Sequence, residues 1–160
     1  MVLSGNLDTF VAKKLMFGGG TVRGEFKSTL DQKGRMNFPA KLREELGAGF
    51  VISKTIDAKC IKVYSSTDWA LLVEKIRALP QTKTADIQRF LFGSAFEIEP
   101  DKQGRILVPA PLREYAGLSV DIVIVGLEGR AEIWDKEAWD KRNASPDMES
   151  LLKAAMELEL

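Results

Sequence analysis

Two short stretches of the sequence place an acidic and a basic residue four positions apart. Asp31 precedes Arg35 in the stretch DQKGR, and Asp101 precedes Arg105 in the stretch DKQGR. An arginine guanidinium forms paired hydrogen bonds with guanine O6 and N7 or with a phosphate. A carboxylate four residues earlier would hold that guanidinium in one orientation. One interpretation of these DxxGR motifs is therefore a site that binds nucleic acid through its arginines.

The other interpretation is structural and rests on the glycines that precede the arginines, Gly34 and Gly104. Asp at the first position and Gly at the fourth are typical of a type I turn followed by a left-handed glycine. In such a hairpin the Asp would cap its own backbone and the Arg would pair with the Asp across the turn. Turn geometry requires the Asp and the Gly but not the Arg, so the second occurrence of the motif favours binding without excluding the structural turn.

The motifs belong to a longer internal repeat with an offset of 70 residues. Residues 31–47 and 101–117 are identical at nine of 17 positions without a gap, and apolar or aromatic residues match at the same offset from about 26 to 69. Each copy is too small to bury a sizeable core by itself. The repeat therefore predicts two copies that pack against each other within one chain as a pseudo-dimer.

Hydrophobic periodicity and turn residues predict the same order of elements in both copies. A strand leads into each turn and another follows it. Pro39 or Pro109 then suits the first turn of a short helix, with Phe38 or Val108 as the N-cap and Gly47 as a C-cap in the first copy. Two further strands are expected in each copy, at 50–54 and 60–64 and at 121–126 and 130–134.

Helices are predicted between and after the copies. A capping box at Ser65–Asp68 opens a connector helix that Pro80 stops, a second connector helix is expected over 85–92, and an acidic amphipathic helix follows Ser145. The predicted class is mixed α/β and strand-dominated. Its segments are an N-terminal extension at 1–20 that we expect to be flexible, a first repeat at 21–66, connector helices at 67–93, a second repeat at 94–137 and a C-terminal helical segment at 138–160.

Composition argues against an enzyme. The 160 residues include no histidine and one cysteine, and no nucleotide-binding loop, hydrolase elbow or paired-cysteine metal motif is present. Cys60 lies in an apolar run, which is typical of a packed residue and not of a nucleophile. Trp69 and Trp139 are more typical of core residues than of base-stacking platforms. We therefore expect no cofactor, no metal site and no small-molecule substrate.

Charge and hydropathy set further limits. No apolar run approaches the roughly 18 residues that a transmembrane helix needs, and a single cysteine suits a reducing compartment. We therefore expect a cytoplasmic protein without membrane association. The 23 basic and 23 acidic side chains balance, which argues mildly against nucleic-acid binding because duplex affinity depends largely on cations.

Three segments together resemble the MraZ family of bacterial transcription regulators: LDQKGRMNFPAKLREELG, DKQGRILVPAPLREYAGL and IVGLEGRAEIWDKEAW. The resemblance covers roughly residues 16–142, including both DxxxR motifs. It implies a tandem SpoVT-AbrB fold, in which looped-hinge, swapped-hairpin-like halves combine into a small barrel. It also implies a ring-shaped homo-oligomer, sequence-specific binding to double-stranded promoter DNA, repression of the division and cell-wall gene cluster, and a cytoplasmic, nucleoid-associated location. Residues 1–15 precede the usual start of the family, and GGGTV replaces its usual polar-aromatic opening.

Local charge ranks the two motifs. The net charge is +2 over residues 22–47 and −1 over residues 92–117. We therefore expect Arg35, with two neighbouring lysines, to make the dominant DNA contact, and Arg105 to contribute less or to help hold subunits together. The candidate DNA-binding residues are Arg35, Lys33, Asp31, Lys27, Arg105 and Asp101, with Gly34 and Gly104 providing the turn geometry.

Affinity would have to come from several subunits, because one subunit offers few cations. A closed ring would engage short direct repeats about one helical turn apart. Two alternatives remain open. The chain could be another AbrB-like regulator or an antitoxin with a different target, or a ring-forming scaffold whose turns mediate only subunit contacts. An RNA target is also conceivable, although no stacking-platform motif supports it.

Overall fold

The structure, a computed structural model, describes residues 21–160, so the expectation for residues 1–20 lies outside the described range. The strands are β1 (Arg23–Thr29), β2 (Arg35–Asn37), β3 (Phe50–Lys54), β4 (Ile61–Ser65), β5 (Phe96–Ile98), β6 (Arg105–Leu107), β7 (Asp121–Leu127) and β8 (Ala131–Asp135). The helices are α1 (Ala40–Leu46), α2 (Ser66–Arg77), α3 (Gln81–Leu91), α4 (Ala110–Ala116), α5 (Lys136–Ala144) and α6 (Met148–Glu157). The mixed, strand-rich class is confirmed.

Six strands form one antiparallel sheet in the order β1-β7-β8-β4-β3-β5, and β2 and β6 form a separate two-stranded ribbon. Within residues 21–160 the larger sheet ends at β1 and β5 and does not close on itself. The barrel that the family resemblance implies is therefore not confirmed.

Strands of the two copies are interleaved. β1 pairs with β7, β5 pairs with β3, and β4 pairs with β8, so each of these ladders joins one copy to the other. This arrangement confirms that the copies pack against each other. The strands before and after each turn do not form a hairpin ladder with each other, because they form their ladders with the other copy.

One continuous core contains residues of both copies, and many of its members are related by the offset of 70. Alternation along β2 and β6 points every second residue inward, and the short helices add an apolar stripe. The matched buried pairs are Met36 and Ile106, Phe38 and Val108, Leu42 and Leu112, Leu46 and Ala116, Ile52 and Ile122, and Val63 and Ile133.

The short helices begin one residue later than expected. Pro39 has a ψ of 134° and Pro109 a ψ of 146°, so each proline is itself the N-cap, and the prediction of Phe38 and Val108 is wrong. The reason is a backbone contact between the copies. The N–H of Phe38 donates to the carbonyl of Gly104 at 3.0 Å, which keeps the chain extended up to the proline.

The connector helices follow their predicted start and stop signals in part. The Ser65 hydroxyl accepts a hydrogen bond from the Asp68 N–H at 3.1 Å, which confirms the N-terminal cap of α2. The start of the second helix was placed too late, at 85. Pro80, with a ψ of 127°, is the N-cap of α3, which begins at Gln81.

The C-terminal segment contains two helices instead of one. Asp135 caps α5 by accepting a hydrogen bond from the Ala138 N–H at 3.3 Å, and this helix was not predicted separately. The predicted amphipathic helix is α6, which begins at Met148 after the capping residue Asp147. Among the described residues, none of the helices has both the length and the hydropathy needed to cross a bilayer.

The prediction of a packed Cys60 is confirmed, and each tryptophan packs against a neighbouring aromatic ring. Trp69 lies with its ring centroid 5.3 Å from that of Tyr64, and Trp139 lies 5.3 Å from Trp134. Both tryptophans are half-buried. Cys60 is fully buried, and this burial raises the pKa of its thiol to about 12.

Candidate nucleic-acid interface

The first turn is organised by one carboxylate. Oδ1 of Asp31 accepts the backbone N–H groups of Lys33 and Arg35, both at 2.9 Å. The N–H of Gly34 donates to the Asp31 carbonyl at 3.0 Å, and its φ of 85° is a conformation that favours glycine. The turn chemistry predicted for Asp and Gly is confirmed.

The same carboxylate also fixes the arginine. Oδ2 of Asp31 accepts a hydrogen bond from Nε of Arg35 at 2.9 Å. Because Nε makes this bond, both Nη groups remain available at the outer edge of the guanidinium, and the Arg35 side chain is 35% exposed. The pKa of Asp31 lies below its ordinary value, chiefly because the Arg35 N–H donates to the ionised form and also because the guanidinium does.

The second turn has the same geometry. Oδ1 of Asp101 accepts the N–H groups of Gln103 and Arg105, and Oδ2 accepts Nε of Arg105, all at 2.9 Å. Gly104 has a φ of 78°, and the Arg105 side chain is 31% exposed. The pKa of Asp101 is also lowered, chiefly because the backbone N–H of Arg105 donates a hydrogen bond to the ionised carboxylate. Local geometry therefore gives neither arginine an advantage.

The two arginines lie on one face of the ribbon formed by β2 and β6. Directly opposite residues of an antiparallel pair share a face. Met36 and Ile106 are opposite each other, and each is 1% exposed, so they form the inner face. The outer face consists of two opposite pairs, Arg35 with Leu107 and Asn37 with Arg105. The arginine Cα atoms are thus diagonal neighbours, about 7–8 Å apart.

Each turn is held by the other copy. The N–H of Val108 donates to the carbonyl of Gly34 at 2.8 Å, and that of Phe38 donates to the carbonyl of Gly104 at 3.0 Å. The turns lie at opposite ends of the ribbon, because β2 and β6 are antiparallel and each begins directly after its turn. The ribbon is therefore one reciprocal unit and not two independent loops.

Sequence reasoning missed two further arginines at this site. Arg113 packs against Gly34 so closely that a methyl group there would lie 2.8 Å from Cζ, and Arg43 packs against Gly104 in the same way, also at 2.8 Å. Nε of Arg43 donates to the Phe38 carbonyl at 3.1 Å. Each guanidinium thus supports the turn of the other copy. The signal was present, since both arginines are among the nine identical positions of the repeat.

The two candidate lysines lie in different elements, Lys33 in the turn before β2 and Lys27 in β1 of the larger sheet. Lys33 is exposed within the first turn, close to Arg35. Lys27 lines a surface depression of about 540 Å³ with Asn37, which is opposite Arg105. Lys27 therefore lies near Asn37, at the end of β2 away from the first turn. No group of three or more potential metal ligands occurs within residues 21–160.

Comparison with known proteins gives matches over almost the whole described chain. The family model with the description "MraZ protein, putative antitoxin-like" matches residues 21–90 and 91–158. The chain is 48% identical over 142 residues to the "Transcriptional regulator MraZ" of Heliobacterium modesticaldum, covering 86% of this chain and 98% of that one. Proteins with the same name from Caldanaerobacter subterraneus and Desulforamulus reducens are 45% and 47% identical over 127 residues, covering 78% of this chain and 88% of theirs.

Proposed function

Because the chain belongs to the MraZ family, we propose that it is a sequence-specific DNA-binding regulator that reads duplex DNA with the β2–β6 ribbon. Its relatives are named transcriptional regulators, and the family is not one of enzymes. The proposal adds to this function the surface that contacts DNA, the β2–β6 ribbon, and the hydrogen bonds that its arginines would make with guanine.

The observation that carries the proposal is the pair of oriented guanidinium groups on one exposed ribbon face. A two-stranded ribbon fits the major groove of B-DNA, which is about 12 Å wide. Each arginine is held through Nε by its own aspartate, at 2.9 Å in both turns. Such a fixed guanidinium presents its Nη groups for paired hydrogen bonds with guanine O6 and N7.

We propose that Arg35 contributes more than Arg105. The supporting observation is charge, since Lys33 lies in the first turn where the second turn has Gln103. Lys27, in β1, is a further candidate phosphate contact near Asn37, and it does not contribute to the ranking of Arg35 over Arg105. Asp31 and Asp101 orient the arginines, and Gly34 and Gly104 form the turns.

The direct test is fluorescence anisotropy on the duplex upstream of the chain's own division cluster, beside a scrambled duplex, at near-physiological salt. We expect tight binding to the promoter alone and a loss of at least about fivefold in Arg35→Ala, since one bidentate arginine–guanine contact contributes about 1–3 kcal/mol of discrimination. The control is Lys141→Ala, which removes one exposed cation from α5, outside the ribbon and the proposed ring contact. Equal binding of both duplexes would contradict the proposal. A stronger loss of affinity in Arg105→Ala than in Arg35→Ala would contradict the ranking of the two arginines.

We further propose that several copies assemble into a closed ring that binds short direct repeats. The apolar face of α6 is the candidate contact, because Met148, Leu151, Leu152 and Met156 are all more than half exposed. We propose that it docks on α2 of a second copy, where Trp69 and its neighbours line an open groove of about 740 Å³.

Charge does not oppose this choice of partner, since α2 itself carries two basic and two acidic side chains. Residues 147–160 carry four acidic side chains and one lysine, whereas residues 66–91 carry four basic and three acidic ones. A head-to-tail contact of this kind generates rings when the rotation closes. We expect Leu151→Ser combined with Leu152→Ser to reduce the native mass measured by light scattering, and the control Lys153→Ser to keep it. An unchanged mass would refute the contact, and a stable complex with a different polypeptide at α6 would favour the antitoxin alternative.

The remaining proposals rest on the resemblance. We propose that the two copies, at 21–66 and 94–137, are SpoVT-AbrB units, and that the protein is cytoplasmic, nucleoid-associated and a repressor of the division and cell-wall gene cluster. A reporter fused to that promoter should rise when the chain is deleted and return when it is restored. Restoration by Arg35→Ala as well would argue against repression through DNA contact.

A further inference from the structure

The outer face of the ribbon is not symmetric between its two halves. Arg35 is directly opposite Leu107, whereas Arg105 is directly opposite Asn37. The offset of 70 makes Asn37 and Leu107 equivalent positions in the two copies. Each arginine therefore has a different immediate neighbour, although the turns that hold the arginines are the same.

Both neighbouring side chains are exposed. Leu107 is 54% exposed, while Ile106 beside it is buried. Asn37 is also exposed, and within residues 21–160 its carboxamide makes no hydrogen bond. Its backbone carbonyl accepts the hydroxyl of Ser28 at 2.9 Å, which holds this strand in place and leaves the side chain on the outer face.

The two side chains have different base preferences on chemical grounds. An asparagine carboxamide donates to N7 and accepts from the N6 amino group of adenine, and an aliphatic side chain contacts the C5-methyl group of thymine. Directly opposite residues have Cβ atoms about 4.5–5.5 Å apart. This spacing lets an arginine and its neighbour contact adjacent base pairs, which are about 3.4 Å apart.

We propose that Leu107 and Asn37 are specificity-determining residues that make the two ends of the ribbon read different base steps. The half with Arg35 and Leu107 reads a guanine beside a thymine. The half with Arg105 and Asn37 reads a guanine beside an adenine. This inference rests on the proposed DNA-binding function and adds the identity of the bases at that same surface.

The test uses the full chain and a duplex selected from a random library by its binding to the wild type. Single thymines of that duplex are replaced by deoxyuridine, which lacks only the methyl group, and single adenines by 7-deazaadenine, which lacks the N7 acceptor. We expect one thymine at which the replacement weakens wild-type binding about fourfold, the effect of one buried methyl group. We expect one adenine at which the loss is about tenfold.

The variants assign each effect to a side chain. Leu107→Ala should lose the sensitivity to deoxyuridine and keep the sensitivity to 7-deazaadenine, and Asn37→Ala should show the reverse. Val120→Ala, an equally exposed apolar truncation outside the ribbon, should keep both. Circular dichroism checks that all three remain folded.

The outcomes separate this inference from the proposed function. Selection of no specific duplex by the wild type would overturn both. Tight and specific binding with no sensitive thymine or adenine would overturn only the inference. The inference alone would also be overturned if Leu107→Ala remains as sensitive to deoxyuridine as the wild type, or if Asn37→Ala remains as sensitive to 7-deazaadenine.

Discussion

Replacing Asp31 with asparagine separates the two roles of this carboxylate. Oδ1 accepts two backbone N–H groups and Oδ2 accepts Nε of Arg35, each at 2.9 Å. An asparagine keeps one carbonyl oxygen for the backbone but places an amino group where Oδ2 was, and this group cannot accept a hydrogen bond from Nε. We expect the turn to stay closed while Arg35 loses its fixed orientation.

The substitution has two opposing effects on DNA affinity. Loss of one negative charge raises the affinity for every duplex, because all duplexes carry the same phosphates. Loss of orientation lowers the affinity only for the duplex whose bases Arg35 reads, by about two- to tenfold, since the side chain must then be ordered on binding. The charge effect cancels in the ratio of promoter to scrambled-duplex affinity. We therefore expect this ratio to fall about two- to tenfold in Asp31→Asn.

Anisotropy titrations of both duplexes at one salt concentration measure this ratio. Asp101→Asn is the matched control, because it makes the same charge change in a turn of the same geometry. Its ratio should fall less if Arg35 makes the dominant contact. A rise in both affinities with an unchanged ratio in Asp31→Asn would refute the view that the carboxylate orients Arg35 for base recognition.

Three further predictions concern the folded chain. The lowered pKa values of Asp31 and Asp101 mean that their contribution to stability is complete above the ordinary value of 3.8 and is lost as the pH falls through the folded values. In urea titrations from pH 6 to 3, the free energy of unfolding should therefore fall more steeply for the wild type than for the double Asn variant. Parallel curves for the two proteins would contradict this prediction. Gly34→Ala should lower the free energy of unfolding more than Gly117→Ala, for which about 1–2 kcal/mol is expected. Both glycines have positive φ, but a Cβ added at Gly34 would lie 3.0 Å from the Val108 carbonyl oxygen and would displace the Arg113 guanidinium, whereas one added at Gly117 would meet nothing within 4 Å. Equal urea midpoints at one protein concentration would contradict this. Cys60 should react with a thiol reagent at pH 8 only in denaturant, and rapid labelling of the native protein would contradict its burial.

Local elements could be predicted from sequence because their signals are local. The turn residues, the strand runs and the cap at Ser65 depend on neighbours within a few positions, and all occur as expected. The pairing of strands does not depend on such neighbours. β1 forms its ladder with β7, and Arg23 is directly opposite Leu127 across a separation of more than one hundred residues. Nothing in the periodicity of either strand specifies that partner.

The residues of the two turns could be predicted from the sequence, but the contacts by which each copy supports the turn of the other could not. Asp31 and Arg35 were identified because their spacing brings them together within one turn. Arg43 and Arg113 were missed because each acts on the turn of the other copy, which only the antiparallel ribbon brings close. Identity at Arg43 and Arg113 between the copies was the available signal, since a half-buried position on a short helix does not otherwise require arginine.

The duplication within one chain bears on the type of DNA sequence that the ribbon can read. Two identical halves from separate subunits would present a two-fold symmetric face, and symmetric faces match palindromic sites. Here both halves belong to one chain, so Asn37 and Leu107 differ while the paired turns stay equivalent. An asymmetric ribbon has a direction along the DNA. In the proposed ring, identical subunits should bind best when their sites point the same way, which is the arrangement of direct repeats. Inverting every second repeat while keeping the spacing should therefore weaken binding. Equal affinity for direct and inverted arrays would show that the two ends of the ribbon bind DNA equivalently, which would refute this reasoning.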